Sequence, residues 1–248
     1  MSPADLILTG ERTLPGISRE NYWFQRHLVA YERAETFAPG KRVIDIGCGE
    51  GYGPAMLARV ADEVLGVDIA PEVVEHAEAT YPAGNLSFRV MDVGSLEVDD
   101  SSFDLAVSFQ VVEHLVDVSG YFDELSRVLR PGGIAMITTP NRLTISPGRT
   151  EPINPFHLRE YTPDELAAEL SSHFDDVALE GMYHARMLAL NEKVGLVDFI
   201  KVYEMGPANP RRWAHRAMAP LVHTSDFRLT GGDISGCLDI LATCRKAV

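Results

Sequence analysis

Between Lys41 and Thr139, short apolar runs alternate with stretches in which apolar residues recur every three or four positions. Short continuous apolar runs suit strands covered on both faces, and their alternation with helical patterns is the signature of βαβ units and a parallel sheet. The predicted strands are RVIDI (42–46), EVLGVD (63–68), LSFRVM (86–91), FDLAVSF (103–109) and GIAMITT (133–139). In GYFDELSRVLR, the residues Tyr121, Phe122, Leu125, Val128 and Leu129 share one helical face, and Pro131-Gly132-Gly133 stops the helix. Pro71 opens the helix after the second strand, although Ala70 occupies a cap position better served by Ser. Thr162-Pro163-Asp164-Glu165 is a capping box with proline at the first helical position, which predicts a helix over about 163–173. DDVALEGMY (175–183) and CLDILATCRK (237–246) read as a sixth and a seventh strand.

Two segments break this rhythm. Residues 140–160, PNRLTISPGRTEPINPFHLRE, are rich in turn formers and follow the carboxyl end of a strand, where open α/β sheets bind ligands, so they form a candidate lid. Residues 184–234 separate the last two strands as an insertion, with a break at GPANP (206–210) followed by the basic cluster Arg211, Arg212, His215 and Arg216. No repeat, low-complexity tract or linker divides the chain. It therefore reads as a single domain, 1–248, with an N-terminal cover at about 10–35, a lid at about 140–160 and an insertion at about 184–234.

Composition narrows the partners. With 22 Lys+Arg against 36 Asp+Glu the formal charge is −14, which argues against a nucleic-acid partner, because phosphate backbones are gripped through basic surface. Three cysteines, Cys48, Cys237 and Cys244, lack CxxC spacing and suit reduced, buried thiols rather than a zinc knuckle. MSPADLILTGER has no basic region ahead of an apolar run, and no stretch reaches the roughly 18 apolar residues of a membrane span. A cytoplasmic protein without membrane contact is expected.

The most informative stretch is Val43-Ile44-Asp45-Ile46-Gly47-Cys48-Gly49-Glu50-Gly51-Tyr52-Gly53, a strand running into a glycine turn and then a helix. Glycine allows unusual backbone angles there and lets a ligand approach the main chain. A dinucleotide fingerprint would need a small residue where Tyr52 stands, so the dehydrogenase reading fails.

D-I-G-C-G-x-G instead resembles motif I of the class I S-adenosylmethionine (SAM)-dependent methyltransferases. LRPGG (129–133) and FHLREYTPDEL (156–166) also resemble stretches of that superfamily. The resemblance implies a Rossmann-like α/β fold: a seven-stranded, mostly parallel sheet with helices on both faces and the last strand antiparallel. It implies SAM as cofactor, held at Asp45, Gly47 and Gly49, with Asp68 on the ribose beside Ile69. Asp92 would meet the adenine amine next to the Val93 amide, and Gln110 the methyl end. Tyr22 and Arg26 would fold over the cofactor from the N-terminus, with Trp23 as further cover and Arg26 or His27 near its carboxylate. GERTLPGISRENYWFQRH (10–27), FQVVEHL, the 140–160 block and DISGCLDILA are similar to a narrower group, the actinobacterial sugar O-methyltransferases of methylmannose polysaccharide biosynthesis. That resemblance implies a small sugar acceptor, the 1-OH of a 3-O-methylated mannoside.

A hydroxyl is a poor nucleophile while protonated, so a base should assist the transfer. His114, in Gln110-Val111-Val112-Glu113-His114 after strand four, is the first candidate, with Glu113 beside it. His157 in the lid is the second, as base or sugar partner; His184, Asn154 and Arg159 are further substrate candidates. Q-V-V-E-H also resembles the E-V-x-E-H segment of ubiquinone-pathway O-methyltransferases, in which two glutamates and the histidine hold a divalent metal. Here Gln110 replaces the first glutamate with a poorer ligand for a hard cation. If a cation such as Mg binds, Glu113 and His114 are its candidate ligands. The N/D-P-P-Y/F motif of base-amine methyltransferases is replaced by Phe109-Gln110-Val111-Val112. A quinone or phenol O-methyltransferase is the enzyme alternative, and a SAM-binding regulatory subunit the alternative without catalysis. The sequence leaves a homodimer open.

Overall fold

Eight strands share one sheet in the structure, a computed structural model that describes residues 13–197, 199 and 209–248. Residues 10–12 of the expected N-terminal cover and 206–208 of the expected break lie outside the described residues. The strands are β1 Arg42–Ile46, β2 Glu63–Asp68, β3 Leu86–Val90, β4 Phe103–Phe109, β5 Leu129–Pro140, β6 Asp176–His184, β7 Phe227–Thr230 and β8 Asp239–Arg245. Their spatial order is β3-β2-β1-β4-β5-β8-β6-β7. The first five pair in parallel, β8 runs antiparallel to both β5 and β6, and β7 runs antiparallel to β6.

All seven expected strands are present. The expectation of a seven-stranded sheet is corrected by β7, four residues inside the 184–234 insertion that pair Gly181 with Thr230 through His184 with Phe227. Phe-Arg-Leu-Thr is too short to carry a periodicity of its own, and only pairing with β6 makes it a strand.

Eight helices flank the sheet among the described residues: α1 Asn21–Glu35, α2 Tyr52–Leu57, α3 Pro71–Thr80, α4 Val118–Val128, α5 Arg142–Ile145, α6 Pro163–Leu170, α7 Arg186–Val194 and α8 Pro210–Met218. In α4 the Asp117 side chain accepts from the Gly120 N–H, and Tyr121, Phe122, Leu125 and Val128 are buried. At about 2 kcal/mol per buried side chain, that face outweighs any weakness in helix propensity. The helix stops at Val128, and Leu129 already belongs to β5. The Thr162–Glu165 capping box forms in both directions, but α6 ends at Leu170, three residues earlier than expected. Pro71 begins α3, and Ala70 makes no side-chain cap. None of these helices is long and apolar enough to cross a membrane.

Strand order positions the site. From β1 the chain moves outward to β2 and β3, then returns to β4 on the other side of β1. The order reverses between β1 and β4, and their carboxyl ends open the crevice in which such sheets bind ligands. Residues 47–53, 68–70, 92–93 and 110–114 all lie at or just after strand ends at this edge.

Candidate active site

The turn after β1 is held by hydrogen bonds that its glycines make geometrically accessible. Gly47 and Gly49 have φ of +77° and +56°. A Cβ on Gly47 would come within 2.5 Å of Val111 Cγ2, whereas one on Gly49 would meet nothing within 4 Å. Gly47 N and Cys48 N both donate to Val67 O, at 2.8 and 2.9 Å. Asp68, at the end of β2, accepts from Gly49 N and from Ala70 N, each at 3.0 Å. One carboxylate therefore braces the turn while facing the crevice.

A cavity of about 420 Å³ lies above this turn. Gly47, Gly49, Asp68, Ile69, Asp92, Val93, Gln110, His114 and Val116 are among the residues that line it. The order of carboxylates is that expected for ribose and adenine recognition, and the bare edge of Gly49 fits the close approach of a ligand to the main chain. A smaller cavity of about 60 Å³ adjoins it across Gly47 and Gly49, bounded by Thr13, His27, Tyr31, Glu50, Tyr52 and Gln110. Thr13, Tyr31 and Tyr52 were not among the sequence candidates. For Asp68→Ala, SAM affinity by calorimetry should fall about 10- to 100-fold, the loss expected for hydrogen bonds to a charged group. Unchanged affinity would remove Asp68 from the ribose.

Gln110 lines both cavities and is held in an unusual conformation, with φ +60°. A left-handed non-glycine residue carries strain of order 1–3 kcal/mol and persists where its surroundings fix it. Here Gln110 N donates to Thr138 O at 2.9 Å, and Nε2 donates to Thr138 Oγ1 at 3.2 Å.

His114 follows in a short 3₁₀ turn, Val112–His114. Its Nδ1 lies 2.9 Å from Phe156 O. A carbonyl oxygen only accepts, so Nδ1 carries the proton and the lone pair falls on Nε2. His157 differs. Phe156 N donates to Asn154 Oδ1 at 3.0 Å, which orients the amide so that Nδ2 donates to His157 Nε2 at 2.8 Å. His157 Nδ1 then donates to Glu160 Oε1 at 2.9 Å. Burial pushes the Glu160 carboxyl up, but hydrogen bonds from His157 and Ser146 outweigh it and leave it below its usual value. Both His157 nitrogens are thus engaged; in His114 the tautomer puts the lone pair on Nε2.

Glu113 is buried, with Oε2 accepting from Thr139 Oγ1 at 3.0 Å. Burial pushes its carboxyl up to about 8, against its own backbone N–H and the Thr139 hydroxyl. Its backbone oxygen accepts from Leu158 N and Arg159 N at 2.7 and 3.2 Å, anchoring the 140–160 segment. Glu113 is not among the lining residues of either cavity; it lies buried next to His114 in the chain.

Other expectations also change. Asp45 is buried beneath the turn rather than on a cavity wall; Tyr31 donates to it at 3.0 Å, and burial pushes its carboxyl up to about 8. Tyr22 and Arg26 do not cover the cofactor cavities. Arg26 makes a buried bidentate ion pair with Asp239, and Tyr22 stacks on Phe199 at 4.3 Å with its hydroxyl 2.8 Å from His184 Nε2. His184 thus packs in this interior cluster and lines neither cavity. Arg159 turns outward, over the Tyr161 ring at 4.4 Å and 3.6 Å from Glu169. Its long side chain found an ion pair on α6, which sequence spacing does not reveal.

Comparison with known proteins gives this geometry a context. Residues 44–137 match the family described as "Methyltransferase domain". A probable SAM-dependent methyltransferase of Mycolicibacterium smegmatis is 40% identical over 246 residues, covering 97% of this chain and 95% of that protein. A ubiquinone biosynthesis O-methyltransferase of Sinorhizobium fredii is 35% identical over 106 residues, 42% of each chain. Among solved structures, a Thermotoga maritima SAM-dependent methyltransferase superposes with TM-score 0.62 at 14% identity, covering 92% of this chain and 97% of that one.

Proposed function

The chain belongs to the SAM-dependent methyltransferases, and on that premise we propose that it methylates a hydroxyl of a small sugar, with His114 as general base. The acceptor we infer is the 1-OH of a 3-O-methylated mannoside. The cofactor is SAM, which supplies a methyl group on a sulfonium, open to in-line displacement. Asp68 and Asp92 hold its adenosine end, and Gln110, common to both cavities, stands where the methyl end is expected. His114 Nε2 takes the acceptor's proton as the new O–C bond forms and the S–C bond breaks, the sulfur keeping the bonding pair.

The observation that carries this reading is the His114 Nδ1–H bond to Phe156 O, which leaves Nε2 as the basic atom of a cavity-lining side chain. The sugar assignment is supported by what surrounds it. Gln110 and His114 are polar groups of the cavity lining and Val116 an exposed apolar one, and the 140–160 segment reaches His114 through Phe156 O, bringing the exposed Phe156 and Leu158, which suit ether methyls. A phenol or quinone would need a mainly apolar pocket.

A second reading, metal assistance, is favoured by one arrangement. Glu113, His114 and His157 offer ligand atoms within 4.8 Å of one another, and Glu113 Oε1 is buried without a hydrogen-bond partner. Glu113 and His114 would hold a divalent cation such as Mg, joined by His157 once its Nε2 gives up the Asn154 amide, and the ion would supply a Lewis acid for the acceptor oxygen. A methyl-transfer screen of partially methylated mannosides beside catechols and quinols, run with and without chelator, tests both readings. Transfer to the mannosides that survives chelation is expected. Activity confined to the phenols would overturn the sugar acceptor, and activity lost to chelator and restored by Mg²⁺ would favour the second reading.

A further inference from the structure

The basic cluster of the 184–234 insertion is used by neither the cofactor site nor the acceptor chemistry. From Met205 to Ser225 the sequence carries three arginines and no acidic residue. With 36 acids in 248 residues, a stretch of that length holds three on average. The chain of −14 therefore has one segment from which negative charge is missing.

Helix α8 fixes where these side chains point. Its inner face is committed to the core: His215 is buried with its ring 5.3 Å from Phe199, and Ala214 and Met218 pack on the apolar cluster that holds Ala219 and Val222. Arg211, Trp213 and Arg216 are left exposed. Trp213 and Arg216 are neighbours one turn apart, the guanidinium 5.9 Å from the centroid of the indole. Trp213 is 66% exposed and Leu221, just past the helix, 60%. The face thus combines arginines with large apolar groups, the composition of a helix that lies on a membrane surface.

Its place in the fold gives that face a direction. Ala219–Leu221 and Thr224–Asp226 lead from α8 into β7 at Phe227, opposite His184 at the carboxyl end of β6. β5 and β6 both run antiparallel to β8, with Pro140 and Met182 level on Asp239, so both strands end at the same edge. That edge is also where the cofactor crevice opens. Asn21, the first residue of α1, donates to Ala219 O and Val222 O at 2.8 Å and ties the segment there.

We propose that α8 docks the protein on an anionic membrane surface, with Arg211 and Arg216 on lipid phosphates, Trp213 and Leu221 in the interface, and the edge of the crevice beside the lipid. Charge selects this occupant. A negative surface repels a chain of −14 except where acids are missing, and an indole is favoured at the headgroup level. No helix among the described residues crosses a membrane, so the contact is peripheral. The proposal departs from the sequence expectation of no membrane contact and does not depend on which acceptor is methylated.

Flotation with vesicles of phosphatidylcholine alone, and of phosphatidylcholine with phosphatidylglycerol in equal parts, tests it. The full chain should float with the anionic vesicles only. Arg211→Gln with Arg216→Gln should weaken that binding about 25-fold, at about fivefold per arginine, while SAM affinity stays at the wild-type value. Arg211→Lys with Arg216→Lys keeps the charge and should bind vesicles like the wild type. Anionic vesicles should shift the indole emission to the blue, and Trp213→Phe, which leaves Trp23 alone, should abolish the shift. Failure to float with anionic vesicles, equal binding to neutral ones, or undiminished binding by the glutamine variant would overturn the proposal. Self-association without lipid that the glutamine variant abolishes would assign the face to a second copy of this chain instead.

Discussion

Replacing His114 by alanine should lower turnover about 10²- to 10⁴-fold, the usual contribution of a general base, while SAM affinity stays close to wild type. The expectation rests on proton bookkeeping. Phe156 O can only accept, so the His114 proton sits on Nδ1 and Nε2 is the basic atom. The carbonyl is itself held in place, because the neighbouring Leu158 and Arg159 amides are tied to Glu113 O. Alanine therefore removes the base and also a loop contact. His114→Asn separates the two effects: an asparagine amide can still donate to Phe156 O, yet it offers no basic nitrogen. Both variants should lose turnover alike if His114 is the base. Recovery in the asparagine variant would make His114 a positioning residue for the loop, and near-wild-type turnover in both would end its catalytic assignment.

The parts of the fold that were legible in the sequence are those with local causes. Continuous apolar runs located β1 to β5, a reciprocal capping box located the start of α6, and the glycine turn located the cofactor crevice. Asp68 and Asp92 stand at the cavity because strand ends in a parallel sheet face one edge, a consequence of topology that the order of motifs already carries. What escaped the sequence depends on long-range pairing. β7 exists only through β6, Thr13 meets Tyr52 across 39 positions, and Asp239 meets Arg26 across 213. Local composition also misled where a charged side chain had a competing partner, as with Arg159 on Glu169. The one available signal for Asp239 was a lone acid inside the apolar run CLDILATC. An acid in a buried strand needs a cation or a proton, and the sequence alone does not say which residue supplies it.

That buried pair provides the largest expected effect on stability. Arg26 and Asp239 are 2% and 1% exposed, and they meet through two parallel hydrogen bonds. Burial works against the Arg26 charge, but the neighbouring Asp239 carboxylate more than offsets it and keeps the guanidinium protonated. Removing one partner strands the other charge in the interior, which costs about 3–5 kcal/mol. For a chain of this length each kcal/mol moves the midpoint by roughly 2–4 °C, so Arg26→Ala should lower the unfolding temperature by roughly 10 °C. Asp239→Ala should do the same. The double replacement Arg26→Met with Asp239→Leu should recover most of the loss, because apolar residues of similar size leave no uncompensated charge. SAM binding discriminates the two roles for Arg26. If the guanidinium held the cofactor's carboxylate, Arg26→Ala would weaken SAM binding with little change in unfolding temperature, and the double replacement would not restore it. The ion pair predicts the reverse: a large stability loss, and SAM affinity near wild type in whichever variant remains folded.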